Sequence, residues 1–182
     1  MSFLENRTTA WCLTAFIILV SIFAGSGNSL GKLRAEAEDV FFRGADLDNM
    51  GILYDTERIA AECSNLITVA SRYMQESDPA IKRLQENRQA LLSAVGPGES
   101  GIALVNVLAS EEALYQAMEL LPLNEQDERF RSSLHTNINS HHRIIAASPY
   151  NRLAQEFNQT LRKQPAKLLG ALTGIEPLEL FE

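Results

Sequence analysis

Three carboxylates spaced as calcium ligands in one twelve-residue stretch, with a fourth at Asp55, are the first chemistry the chain offers. In the segment 46–57, Asp46 and Asp48 stand at positions one and three, Gly51 at six, Leu53 at eight and Glu57 at twelve. That spacing matches the EF-hand loop, where oxygens surround calcium, a glycine permits the sharp bend and a final glutamate closes the shell. Met50 takes position five, where an oxygen ligand normally stands, so a calcium site here would be a weak one. The competing expectation is a solvated acidic turn, with Asp55 or Thr56 capping the helix that follows.

A second pattern is polar but not acidic. Tyr150, Phe157 and Gln164 recur every seven residues, and Asn151 with Asn158 makes a parallel row beside them. Such a row either bonds to neighbouring backbone and fixes register, or lines a groove for a peptide or partner helix. Arg88 raises the same choice, because it sits between Leu84 and Leu91 on an apolar stripe. Buried there, it needs a carboxylate or several carbonyls, and an ion pair is the expectation. His135 and His142 share a face by their spacing, but only Glu128 stands near as a carboxylate, so a partly buried face is expected rather than a metal site. Cys12 and Cys63 lack C-x-x-C partners and read as small hydrophobes. With no nucleophile, base and orienter set, no phosphate loop and no nucleotide fingerprint, the expectation is a non-enzymatic protein without catalytic residues. Calcium at 46–57 is the one cofactor considered.

These residues are carried by helical patterns almost throughout, and no alternating stretch is long enough to argue for a sheet. Leu30, Leu33, Ala37, Val40 and Phe41 predict a helix that ends before Gly44. Ile59, Cys63, Leu66, Ala70 and Tyr73 form the seam of a second, over about 55–76. Asp78 and Pro79 open a third by capping and by proline at the first position. It carries Ile81, Leu84, Leu91, Leu92 and Val95, and Gly96-Pro97-Gly98 is expected to stop it. A fourth, from about residue 100 to 121, presents Leu104, Leu108, Tyr115 and Met118. The last long pattern starts near Glu125, includes Phe130, Leu134, Ile138 and Ile145, then Tyr150, Phe157 and Leu161, and is interrupted at Ser148-Pro149. An apolar final stretch with Leu168, Leu169, Leu172, Ile175, Leu178 and Phe181 is expected to dock on the body. The fold class is therefore all-α: an elongated antiparallel bundle of about four helices.

Residues 8–31 hold no charge and are dense in large apolar side chains from Ala10 to Ala24, with Trp11 near one end. The run is long enough to span a bilayer if its flanking small residues are counted. A short N-terminus and anchor over 1–27, a single-pass transmembrane helix in the cell membrane, precedes a helical domain over 28–182. A cleaved signal peptide is the rival. Sixteen Lys and Arg against 23 Asp and Glu give a net charge of −7, which argues against nucleic acid as a partner and against a peripheral membrane face beyond the anchor.

Pro149-Tyr150-Asn151, Phe157-Asn158 and Gln164-Pro165 together resemble the closing motif of the LemA family, in which Tyr-Asn pairs and a Phe-Pro recur every seven residues on the last helix. Leu168, Leu169, Gly174 and the terminal Phe181-Glu182 also resemble that family's ending, as do Asn65-Leu66 and Arg88 further upstream. Gln164 takes the place of the aromatic before proline. The resemblance implies a membrane-anchored helical bundle of unestablished biochemical activity, with no catalytic residues to carry over. The functional expectation is an interaction or scaffold module of a bacterial envelope with a protein partner, contacted through Tyr150, Asn151, Phe157, Asn158 or Arg88, or through the apolar tail. The alternative is a calcium-responsive binding protein using Asp46, Asp48 and Glu57.

Overall fold

The computed structural model describes residues 7–182, and their side chains except those at 7, 8, 19, 22–24 and 26. The described residues form seven helices and no strand: α1 (Arg7–Arg43), α2 (Ile52–Ala70), α3 (Pro79–Ser93), α4 (Gly96–Glu119), α5 (Glu125–Ala147), α6 (Tyr150–Arg162) and α7 (Ala166–Thr173). The all-α expectation stands. The anchor expected over 1–27 falls in part on residues outside the described set, at 1–6 and at the side chains named above. Among the described residues no helix is long and apolar enough to cross a membrane.

The chain divides into two compact units. One comprises residues 38–152 with 179–182, and contains the end of α1, all of α2 to α5 and the first turn of α6. In it α2 packs against α3, α4 and α5, and α3 packs against α4. Heptad-like spacing places Ile59, Cys63, Leu66 and Ala70 of α2 in the centre, as the seam foretold, against Ile81 and Leu84 of α3, Leu104, Val107, Leu114 and Met118 of α4, and Leu134 and Ile138 of α5.

Helix boundaries follow local chemistry. Asp78 accepts a hydrogen bond from Ala80 N at 2.9 Å with Pro79 behind it, the expected cap of α3. Asn124 caps α5 by accepting from Asp127 N at 2.8 Å. Three expectations need correction. The chain breaks at Ala94 and Val95, and Gly96-Pro97-Gly98 is the first turn of α4, where Glu99 reaches back to accept from Val95 N at 2.9 Å. Helix α2 starts three residues earlier than residue 55, with Gly51, too close to the backbone of Phe41 and Phe42 for any side chain, as its N-cap, and it ends at Ala70. On α4 the buried stripe runs through Leu104, Val107, Glu111, Leu114 and Met118, rather than through Leu108 and Tyr115.

The other unit comprises the described part of 1–37 with 153–178. Leu30 and Ala37 of α1, Ala154, Phe157 and Leu161 of α6, and Leu169 of α7 are buried in it. Gly170 lies so close to Leu161 that a Cβ would fall 2.6 Å from its Cδ1, which lets α7 close on α6. Gly174 then ends α7 in the left-handed conformation, at φ 69°. Past it the chain runs without helix to residue 182.

Candidate functional site

In the first unit, the end of the chain is held by the start of α6 and the start of α4. Ser148 and Pro149 interrupt the helical path, so Tyr150 begins a new helix with its side chain buried. The Tyr150 hydroxyl donates to Glu179 O at 2.6 Å. Asn151 makes a double bond pair with a single residue: its Nδ2 donates to Phe181 O at 2.7 Å, and Phe181 N donates to its Oδ1 at 2.8 Å. A carboxamide offers one donor face and one acceptor face in a plane, as a peptide group does, so it pairs with extended backbone much as a neighbouring strand would. The Phe181 ring lies 6.2 Å from that of Phe41, which in turn lies 5.4 Å from that of Tyr150.

The glycines of α4 complete this seat. Gly98 N donates to Glu179 Oε2 at 3.2 Å, placing a carboxylate on the first turn of the helix, where the dipole favours it. A Cβ on Gly101 would stand 2.5 Å from Glu182 O and 2.6 Å from Glu182 N, so the backbone of residue 182 lies flat on α4 only because position 101 is glycine. Beside Glu182 a cavity of about 270 Å³ is lined by Leu104, Val105, Leu108, Ile145, His142 and Asn151, among others.

The second unit repeats the device. Asn158 Nδ2 donates to Leu178 O at 2.8 Å and Leu178 N donates to Asn158 Oδ1 at 2.8 Å, while Phe157 is buried. The carboxamide row thus bonds to backbone of its own chain, twenty and thirty residues further on. Of the two uses a polar row allows, this is the one displayed.

A different polar system runs along α5, inside the first unit. Asp127, only 2% exposed, accepts from Arg72 Nη1 at 2.5 Å, from Tyr73 Oη at 2.7 Å and from Asn124 Nδ2 at 2.8 Å. One turn on, buried Arg131 donates to both oxygens of Glu128 and to Tyr115 O, with its guanidinium 4.3 Å from the Tyr115 ring centre. Next, His135 Nδ1 lies 3.1 Å from Glu111 Oε1, its Nε2 faces Asn139 Nδ2 at 2.9 Å, and its ring stacks on Tyr115. Near the end, His141 Nδ1 lies 2.7 Å from Oδ1 of buried Asp55. Burial raises the Glu111 carboxyl above its ordinary pKa, and the His135 hydrogen bond opposes that rise without cancelling it. Burial, then the charge of Glu111, pushes the Cys63 thiol up to about 12, so it stays protonated and acts as a small hydrophobe.

Among the described residues, Glu111, Glu112 and His135 are the one set of three potential metal ligands with atoms within 4.8 Å of one another. Glu112 is exposed and accepts from Gln116 Nε2 at 2.6 Å, and Glu111 and His135 already face each other. Asp46, Asp48 and Glu57 do not form such a set. Asp48 accepts from Met50 N at 2.9 Å in a turn where Leu47 and Asn49 both have positive φ, while α2 has begun at Ile52 and carries Glu57 on its exposed side. Asp55, considered above as a cap, is instead the partner of His141. Arg88 is half-buried, and its Nε donates to Ala60 O at 2.7 Å, a carbonyl partner where an ion pair was expected.

Spacing alone left Glu111, Asp127, Arg131 and His141 without a role, and Asp55 with only that of a cap. A signal was present: Glu111 continues the spacing 104, 107, 111, 114, 118, and Arg131 continues 127, 131, 134, 138. Charges at core positions of an apolar stripe call for buried partners. No protein-family model matches the chain, and no curated protein is similar to it.

Proposed function

We propose that the protein is a membrane-anchored, LemA-like interaction or scaffold module of a bacterial envelope, working by recruitment rather than by turnover. The observation that carries this reading is the surface of α1. Trp11, Leu13, Phe16, Ile17, Ile18 and Val20 are all exposed, and at about 100° per residue Leu13, Phe16, Ile17 and Val20 cover one side of the helix while Trp11 and Ile18 lie on the opposite side. A helix that exposes large apolar side chains on two opposed sides finds its solvent in lipid or in a protein interior rather than in water. The charge-free run 8–31 agrees with that.

Two further features support the reading. Of the residues that carry the LemA resemblance, Tyr150, Asn151 and Asn158 hold the final segment and Phe181 is part of it. The histidine–carboxylate contacts of α5 are closed pairs between helices, which suits a structural role better than acid–base work on a substrate. The test is membrane partition of the full chain under an alkaline wash. The unchanged chain should stay with the membranes, and Ile17→Asp with Val20→Asp should move at least ten-fold more of it to the supernatant. Release of the unchanged chain would sink the anchor.

A further inference from the structure

Tyr150, Asn151, Gly98 and Gly101 form a seat that holds residues 179–182 mainly by their backbone. Asn151 pairs with the backbone of residue 181, so it imposes an extended conformation without regard to side chain. Selectivity comes from two neighbours: the aromatic ring at 181 meets Phe41, and the acidic side chain at 179 meets Gly98 N on the first turn of α4. Gly101 leaves room for bare backbone at 182, and the adjoining cavity of about 270 Å³, with Leu104, Val105 and Leu108 on one wall and Ile145 on another, has space for a further apolar side chain. Residues 179–182 belong to no helix, so their release breaks no helical hydrogen bond.

We propose that this seat is a recognition site for an extended segment of a partner protein, with an aromatic residue two positions after an acidic one and an apolar residue beyond, and that the chain's own residues 179–182 occupy it until displaced. The proposal rests on the interaction-module reading and supplies the chemistry of its partner. The cis segment competes at the high effective concentration of a tethered ligand, so an untethered copy binds weakly while the cis segment is intact.

The probe is a labelled peptide copying residues 177–182, titrated by fluorescence anisotropy into the full chain in detergent. Phe181→Ser weakens the cis competitor and leaves the seat intact, so it should bind the peptide at least ten-fold tighter than the unchanged chain. Adding Gly101→Ala to Phe181→Ser should abolish that gain, since the new Cβ meets the peptide backbone. Replacing the final Glu of the peptide by Leu-Leu should tighten binding, by placing an apolar side chain towards the cavity. If Phe181→Ser fails to fold by circular dichroism, Glu179→Ala removes the side-chain acceptor of Gly98 N and should give the same order, with about a three-fold gain.

A folded Phe181→Ser chain that binds no better than the unchanged one overturns the proposal, as does equal binding with Gly101→Ala present. A dimeric unchanged chain that turns monomeric with Phe181→Ser overturns it in favour of exchange between two copies. None of these outcomes depends on the membrane wash, so failure here leaves the anchor result standing on its own.

Discussion

The clamps on the final segment and the pairs along α5 both put polar groups among apolar neighbours, but they satisfy them in opposite ways. Asn151 and Asn158 are neutral and exchange two hydrogen bonds each with one backbone residue. Desolvating a carboxamide costs far less than desolvating an ion, and both of its faces find partners. Along α5 the buried groups are carboxylates and a guanidinium, whose desolvation is offset only while every partner is in place. The clamps therefore hold a segment outside the helices through neutral groups, whereas the α5 system ties helix to helix through charged ones. Breaking either should show which kind of cost dominates.

The largest effect is expected at Asp127. Its carboxylate is the meeting point of Arg72, Tyr73 and Asn124, and Asp127→Ala would leave the Tyr73 hydroxyl and Asn124 amide short of their acceptor while removing an ion pair. Arg72 is more than half exposed and rehydrates, so the cost lies towards the lower end of what breaking a buried pair brings, about 3 kcal/mol. Urea denaturation of the full chain in detergent, followed by circular dichroism, would read it as a shift of the midpoint. A loss below about 1 kcal/mol would mean that the cluster is solvated and that the contrast with the clamps is false.

A smaller and more local effect is expected at the clamps. Asn151→Ala removes two hydrogen bonds to Phe181 and should cost about 1–2 kcal/mol, confined to the end of the chain. Asn158→Ala should do the same at Leu178. Amide hydrogen exchange separates this from a global loss: the Phe181 or Leu178 amide should exchange some ten-fold faster, while amides of α2 keep their protection. Faster exchange in α2 as well would make the clamps part of the core, and the distinction drawn above would fall.

The two regions were also unequally legible in the sequence. Helices α2, α3 and α5 could be placed because Ile59, Cys63 and Leu66, or Leu134 and Ile138, repeat at helical spacing, a local signal that tertiary packing only confirms. The row of Tyr150, Asn151, Phe157 and Asn158 was visible as a pattern, but its partner is backbone twenty to thirty residues away, and backbone has no letter in the sequence. The start of α4 was misread for a related reason. Glycines and a proline ordinarily stop a helix, and only the approach of Glu179 and Glu182 shows why Gly98 and Gly101 lie inside one. The α5 pairs were missed because Glu111 and Arg131 look like interruptions of apolar stripes rather than members of them. Spacing pairs His142 with His135, yet His141 is the histidine that meets Asp55, while His142 is exposed at the rim of the cavity. Which of two adjacent histidines faces inward depends on about 100° of helix phase, finer than the spacing argument resolved.

The smallest expected effect sharpens the comparison most, because it asks whether the charge on Glu111 is wanted at all. Its pKa in the folded chain is raised above the ordinary 4.5, by burial, despite the His135 contact. A group with a raised folded pKa adds stability at pH values below its unfolded pKa, and that addition is lost as pH climbs through the folded value, since the unfolded chain gives up the proton first. Glu111→Gln keeps the shape and a hydrogen-bonding group but cannot ionise. Near pH 3, well below the ordinary 4.5, where the carboxyl is protonated in both states, the two chains should melt together. Towards pH 8 the Glu111→Gln chain should melt higher, because the unchanged chain then carries a desolvated carboxylate. If instead Glu111→Gln melts lower at pH 8 and the gap closes on acidification, the His135–Glu111 contact acts as a true ion pair that outweighs burial. The α5 system would then stabilise through its charges rather than in spite of them.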